Sequence, residues 1–262
     1  MAFSKSKIYD REHLKSFFKN GTIPNEKHFS FLIDSLINKQ DDGFSKDAEN
    51  GLILSSSGIS KKLITFFKSV DALEPFFNIE VDDKGSYSFK LKPNIAGLSE
   101  EEEDKKSFFF DEDGSLGIGK RREEGMKLDI EGFASMEGRT GNFRAGFVPA
   151  NGKWHSVVKG LNNCHAFELI ARTGKKTSGR FAILHANALS TFGHSKNKIK
   201  YTSAHYGFWF FNKLCVRWKS FGTYNYDLQI KTYRNYGDET QIYFRITNLW
   251  DDEMMLPEEY YY

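Results

Sequence analysis

The chain has 262 residues and a formal net charge of +2, with 37 Lys and Arg against 35 Asp and Glu. That length holds one large β domain or two to three small ones and can bury a real core, while the charge balance gives no general case for nucleic acid or an anionic membrane. No apolar run approaches the roughly 20 residues that span a bilayer, so no membrane insertion is expected.

The start, Met1-Ala-Phe-Ser-Lys-Ser-Lys7, lacks a following apolar segment. The expectation is synthesis in the cytoplasm without a signal peptide. Action outside the cell would then follow lysis or release within a particle.

From Pro24 to about Asn38 the sequence reads as one amphipathic helix. Phe29, Leu32, Ile33, Leu36 and Ile37 recur at i, i+3, i+4, i+7 and i+8, a single apolar stripe. Pro24 suits a first turn, where its missing N–H costs nothing. Asp41-Asp42-Gly43 stops the helix; it lacks the spaced acidic ligands of a calcium loop. Such a helix cannot bury its own stripe. Ile59, Leu63, Phe66, Phe67 and Val70 form a second, weaker helical stripe. The first stripe either packs on the second or gathers with the same helix of sister chains.

Residues 76–98 read as a hairpin. Phe76–Val81 is followed by a turn at Asp82–Gly85 and a half-buried strand over Ser86–Lys92, with Tyr87, Phe89 and Leu91 on one face and Ser86, Ser88, Lys90 and Lys92 on the other. The charge run Ser99–Lys106 reads as a solvated loop. Phe108–Lys120 and Met126–Gly132 then alternate apolar with small or polar residues around Gly114, Gly117, Gly119 and Gly132, the pattern of short strands joined by tight turns. Lys120–Gly125 is a further charged turn. The glycine spacing fits neither a dinucleotide fingerprint nor a P-loop.

From Gly141 to about Asp251 the chain reads as one β-rich domain. Phe167–Arg172, Phe181–Ala186, Leu214–Trp218, Tyr226–Thr232 and Gln241–Ile246 are short, rich in β-branched and aromatic residues, and separated by turn residues. This rhythm predicts a β-sandwich or jelly roll, and the lack of Pro between Pro149 and Pro257 suits a continuous sheet.

The densest feature of this region is Tyr206-Gly-Phe-Trp-Phe-Phe211. The run is more apolar than one sheet face can bury. It reads as a strand buried on both faces or packed on another chain, or alternatively as part of an exposed sugar-binding platform. The candidate contact aromatics are Tyr206, Phe208, Trp209, Phe210, Phe211, Tyr224, Tyr233 and Tyr236. The tail Pro257–Tyr262 docks on a neighbouring subunit or is disordered.

Chemistry-bearing residues assemble into no recognisable site. His155, His165, His185, His194 and His205 follow one another at spacings of 10, 20, 9 and 11, with no short ligand pair; buried or loop-capping histidines are expected. A glycosidase needs two carboxylates roughly 5–10 Å apart, and nothing brings Glu168 to Asp227 or Asp251. An ion pair of Glu168 with Arg172, Arg180 or Arg217 is expected instead. No Gly-x-Ser-x-Gly elbow frames Ser190 beside His194. Cys164 and Cys215 read as buried free thiols. No catalytic residue, cofactor or metal ligand is assigned.

Three stretches carry a resemblance. Gly114-Ser-Leu-Gly-Ile-Gly119 with Lys127-Leu-Asp-Ile-Glu-Gly132 resembles a repeated element of bacteriophage tail fibres. Phe18, Gly21, Ile23, Pro24, Phe29, Leu32-Ile-Asp-Ser35, Ile37, Asn38 and Asp41-Asp-Gly43 resemble the N-terminal signature of Bacteroidetes tail-fibre-like proteins. These are similar to components of phage-tail-like contractile injection systems. Val148–His155, Cys164–Arg172, Gly179–Ser190, Asn235-Tyr-Gly237 and Leu249-Trp250 resemble the C-terminal domain of the same proteins.

The resemblance implies a non-enzymatic structural or fibre-like component of an extracellular particle released by lysis. It implies a homotrimer, with baseplate, cap, sheath or tube subunits as partners. A glycan-binding adhesin or receptor-binding tip, contacting a cell-surface glycan or protein, is the alternative; a jelly-roll hydrolase is the third.

The expected fold is mainly β, with a helical attachment or oligomerisation module at 1–75 and a β-hairpin and fibre-like connector at 76–140. A C-terminal β-sandwich at 141–252 and an acidic, Tyr-rich tail at 253–262 complete it. Phe29, Leu32, Ile33, Leu36 and Ile37 are the candidate oligomerisation residues.

Overall fold

Strands carry this chain, as its sequence predicts. A computed structural model describes residues 9–38, 42–56, 60–82, 88–207, 210–237, 239–257 and 260. The chain divides into two units, Met1–Ala134 and Ser135–Tyr262.

Unit 1 opens with two short helices, α1 (Arg11–Phe17) and α2 (Glu26–Asp34). Asp10 and Asn25 cap them by accepting from the backbone N–H of His13 and His28, satisfying donors left open in a first turn. Phe17 stacks on His28 at 4.5 Å between ring centroids, and Tyr9 meets Phe31 at 4.7 Å. α2 is therefore shorter than predicted. It ends at Asp34, and Pro24 precedes the cap Asn25 instead of entering the first turn. Its partner is α1, which the hydrophobic periodicity did not reveal.

The second helical stripe is not a helix. Leu63 and Phe66 lie in strand β3 (Lys62–Phe66), where β-branched Ile64 and Thr65 suit a pleated backbone; Ile59 lies outside the described residues.

A hairpin of β1 (Phe44–Asp47) and β2 (Gly51–Leu54) precedes β3. A six-stranded sheet then runs in the order β3, β4 (Phe77–Asp82), β5 (Ser88–Pro93), β6 (Phe108–Asp111), β7 (Leu116–Ile118) and β8 (Leu128–Ile130). All its pairings are antiparallel except β7 with β8. The turn predicted at Asp82–Gly85 lies mostly outside the described residues. Helix α3 (Glu100–Asp104) connects β5 to β6. A Cβ on Gly117 would stand 2.3 Å from the Lys120 carbonyl oxygen, so only glycine lets the Lys120–Arg122 segment cross the sheet there.

Unit 2 is a β-sandwich. Its larger sheet runs β13 (Lys198–Tyr206), β12 (Phe181–Thr191), β11 (Cys164–Thr173), β16 (Gln241–Asp251) and β9 (Arg144–Pro149). The smaller runs β10 (His155–Leu161), β15 (Asn225–Thr232) and β14 (Leu214–Gly222). β9, β10 and β13 are additions to the strands read from sequence, and a short helix α4 (Asp252–Met255) follows β16.

Between the sheets Phe167, Leu169, Leu184, Ile242 and Ile246 meet Leu214, Tyr226, Leu228 and Ile230, all at 0 % exposure. β15 lies between β10 and β14, so the predicted outward residues Asp227 and Gln229 are also buried, at 8 % exposure each. They are satisfied there by Ser156 and Arg217.

Tyr226 adds a polar lock to this core. Its hydroxyl donates to the Asn163 carbonyl and lies 2.7 Å from Ser190 Oγ. Burial pushes the phenol up to about 12, against the pull of Ser190, so it stays protonated at neutral pH. Tyr226→Phe should destabilise unit 2 by about 1–3 kcal/mol, the cost of leaving buried polar groups without a partner. Phe167→Ala should cost about 3–5 kcal/mol. Denaturant unfolding followed by tryptophan fluorescence measures both; a Tyr226→Phe chain as stable as the parent would show that the lock contributes nothing.

Candidate functional site

The two faces of the six-stranded sheet differ in kind. One carries Asp82, Ser88, Lys90, Lys92 and Phe109, and α3 lies over it. Ser99 and Glu102 form a capping box at the start of α3, and acids in its first turn suit the positive end of the helix. Lys90 Nζ donates to Glu103 Oε1 at 2.7 Å and Asp104 Oδ1 at 2.6 Å. Lys92 Nζ reaches Glu103 and Glu80, both at 2.9 Å.

Arg121 donates to Asp82 and Asp104, each at 2.6 Å, with its guanidinium 4.8 Å from the Phe109 ring. The Lys90 side chain is 6 % exposed and Phe109 is 0 % exposed. The Ser99–Lys106 run is thus largely a helix and not a solvated loop. Strand β5 buries Ser88 and Lys90, because each buried cation finds carboxylates at hydrogen-bond distance.

These contacts shift the groups. Burial alone would raise the carboxyls of Glu103 and Asp104. Donation from Lys90 and Lys92 to the first, and from Lys90 and Arg121 to the second, outweighs burial and holds both below the ordinary range.

The opposite face is apolar throughout. The pairings align Ile64, Ile79, Leu91, Phe108 and Ile118 in one row, and Val81, Phe89, Phe110 and Leu116 in the next. Phe66 and Phe77 extend the face at one end, and Leu128 and Ile130 at the other. Phe66, Phe89, Phe108, Phe110 and Leu128 are 37–56 % exposed. An aromatic side chain presents about 150–250 Å², so these five half-exposed side chains alone leave roughly 350–550 Å² bare, to which their half-buried neighbours add. A patch of several hundred Å² is as large as the largest on a typical soluble monomer, and patches of that size are often functional. The Gly-punctuated segment supplies β6, β7 and β8 to this surface.

The other predicted contact residues separate into groups. On α2, Phe29, Ile33, Leu36 and Ile37 are 51–67 % exposed and Leu32 is half-buried, so the stripe is largely open. Among the aromatics, Tyr206 closes β13 against Phe181. Phe210 and Phe211 lie in a turn, with Phe211 stacked on Tyr233 at 5.5 Å; Gly207 ends the strand before them, so the run is not one continuous strand. Tyr224 meets Phe192 at the β14–β15 turn. Tyr236 is 6 % exposed and belongs to the core, not to a contact surface. Phe208 and Trp209 lie outside the described residues, as do residues 258–259 and 261–262 of the tail.

In unit 2 the outer face of the larger sheet holds a cleft of about 420 Å³. A Cβ on Gly141 would stand 2.5 Å from Thr247 Oγ1. The chain before β9 therefore runs flush against β16, and it carries Arg139 over β11. Arg139 Nη2 donates to both Glu168 oxygens, at 2.7 and 3.0 Å, and His185 Nε2 lies 2.9 Å from Glu168 Oε1. Glu168 is thus paired with Arg139 and His185, not with Arg172, Arg180 or Arg217.

Asp227 is in the smaller sheet and accepts from Ser156. Asp251 stands opposite His165 at the end of β16. Neither forms a carboxylate pair with Glu168. Ser190 Oγ faces Tyr226, whereas His194 lies beside Ser220. His155 bonds Asn151 and His165 stacks on Phe167. Cys164 and Cys215 are free thiols on different sheets, half-buried. Among the described residues no group of three His, Cys, Asp or Glu is placed to hold a metal ion.

No protein-family model matches the chain, and no curated protein matches it.

The ion-paired cover on unit 1 has a pH signature. Glu103 and Asp104 have folded values below their ordinary 4.5 and 3.8. Their contribution to stability is fully present above those values and is lost as pH falls through the depressed ones. The unfolding midpoint of unit 1 should therefore fall as the medium is acidified below about pH 4.5. Glu103→Gln should start lower at neutral pH and show a shallower acid limb. Hydrogen exchange of β5 and β6 across pH 3–7 reads this out; parallel acid limbs for parent and variant would show that Glu103 is not part of it.

Proposed function

We propose that this chain is a structural protein that assembles with copies of itself through the bare apolar face of its six-stranded sheet. The observation that carries this reading is the contrast between the faces: α3 and its ion pairs cover the polar one, whereas on the apolar one Leu54–Ser56 of the β1–β2 hairpin line a cavity with Val81, Phe89 and Phe110 and still leave Phe66, Phe89, Phe108, Phe110 and Leu128 37–56 % exposed. A standard interface takes about 800 Å² from each partner, and the five exposed side chains with their half-buried neighbours supply much of that. A face made of aligned Phe, Ile and Leu rows also offers the same knobs and gaps to a second copy.

Taken with the sequence resemblance, the assembly is a homotrimer serving as a fibre-like or accessory component of a phage-tail-like contractile injection particle. In that role unit 1 attaches to particle subunits and to its sister chains, unit 2 makes protein or surface contacts, and the particle leaves the cell by lysis. The open α2 stripe gives unit 1 a second apolar surface for attachment.

Sedimentation of the purified chain at micromolar concentration tests self-association. The parent should run as an oligomer, and Phe89→Lys with Phe110→Lys should run as a folded monomer. A parent that is a clean monomer overturns the self-association. Particle membership is tested separately by co-sedimentation with tube and sheath proteins from lysed cells; their absence from the pelleted fraction would sink the particle role.

A further inference from the structure

The cleft in unit 2 has an unmatched charge arrangement. Arg172 on β11 faces Tyr243 on β16, and Arg245 on β16 faces Ile170 on β11. The two arginines are thus diagonal neighbours on one face, roughly 7–8 Å apart at their roots. Neither forms an ion pair with a described residue; Arg172 rests against the Phe181 ring at 5.7 Å. Glu168 is the one carboxylate lining the cleft, and it is already held by Arg139 and His185. Two adjacent guanidinium groups repel each other, and an anion between them removes the repulsion while taking directed N–H bonds from both planar forks.

The rest of the lining narrows the kind of anion. Phe147 and Tyr243 are 63 and 54 % exposed, with ring centroids 6.0 Å apart. They form an apolar wall beside the arginines, of the kind that takes the C–H face of a sugar ring. Glu168 keeps lone pairs beyond those used by Arg139 and His185, so it accepts from hydroxyl groups. The cleft volume of about 420 Å³ falls within the range of small-ligand sites.

The geometry points to a binding site for an acidic saccharide, with its carboxylate between Arg172 and Arg245, its ring against Tyr243 and Phe147, and its hydroxyls on Glu168. A neutral sugar leaves both guanidinium charges unmatched. An acidic peptide brings further carboxylates against Glu168 and offers it no row of hydroxyls. This inference concerns unit 2 alone and does not rest on self-association.

Calorimetric titration of the full chain tests it with five probes. Two are acidic: a glucuronate-containing disaccharide and sialyllactose. The others are lactose, a hexaglutamate peptide and inorganic phosphate. At least one acidic saccharide should bind saturably and about tenfold or more tighter than the last three, the size expected of charge-assisted hydrogen bonds. Arg172→Gln and Arg245→Gln should each weaken that binding about tenfold or more, and Arg180→Gln, outside the cleft, should leave it unchanged. Circular dichroism confirms that the variants fold. The proposal is overturned if neither acidic saccharide binds the folded parent. It is also overturned if peptide, lactose or phosphate binds as tightly, or if both arginine variants retain full affinity.

Discussion

Lys90 cannot be buried without Glu103 and Asp104, and that requirement orients unit 1. An unpaired ammonium in a low-dielectric site costs several kcal/mol, so the strand that carries it must turn toward the helix that carries the acids. Once β5 is turned that way, its neighbours follow through register. Asp82 and Glu80 on β4 and Phe109 on β6 join the covered face, and Val81, Phe89 and Phe110 are sent to the other. Arg121 closes the arrangement from above because Gly117 has no Cβ to hold it off. The apolar surface on the outside is therefore the consequence of an ion-paired inside.

The alternation of β5 was legible in the sequence, and its sense was not. Period-2 patterning says that Phe89 and Leu91 share a face and that Ser88 and Lys90 share the other. It does not say which face the chain itself covers, and the ordinary preference for apolar burial points the wrong way here. The missing signal lay nearby. Ser99-Glu-Glu-Glu102 has the spacing of a capping box, which marks the acidic run as a helix start, and the lysines of β5 complement its charge. Of the Gly-punctuated segment's predicted turn glycines, Gly114, Gly119 and Gly132 adopt positive φ, whereas Gly117 lies within β7 and does not; its lack of a Cβ serves a close approach instead. That β6 to β8 extend the β4–β5 hairpin into one sheet is a long-range pairing that local pattern does not encode.

In unit 2 the central strands were legible, as was β14 at one edge of the smaller sheet, whereas the edge strands β9, β10 and β13 were not. β11, β12 and β16 alternate because every second residue enters the core. β13 and β9 stand at the edges of the larger sheet and are mostly exposed on both faces, so no core selects their pattern. The cleft was hidden for a related reason. Its Arg172, Tyr243 and Arg245 are ordinary outward residues of their own strands, and only the β11–β16 register sets them side by side. The dense Tyr206–Phe211 run drew the sequence reading instead, although Gly207 breaks it.

The two units answer the burial problem in opposite ways, and this links the two proposals. Unit 2 encloses its core between its own sheets and leaves an exposed face that is charged and aromatic in patches. Unit 1 spends its polar groups on an internal cover and leaves an apolar face largely exposed. A chain that self-associates through the second brings one cleft per copy. A single sugar offers few contacts to such a cleft, and each contact replaces one with water, so the affinity of one site stays modest. Joining copies changes the outcome without any new contact, because the second site binds at the effective concentration set by the first; gains of about 10²–10⁴ are typical when the sites engage together. Recognition of a repetitive glycan surface would then depend on Phe89 and Phe110 as much as on Arg172 and Arg245, although neither phenylalanine touches the sugar.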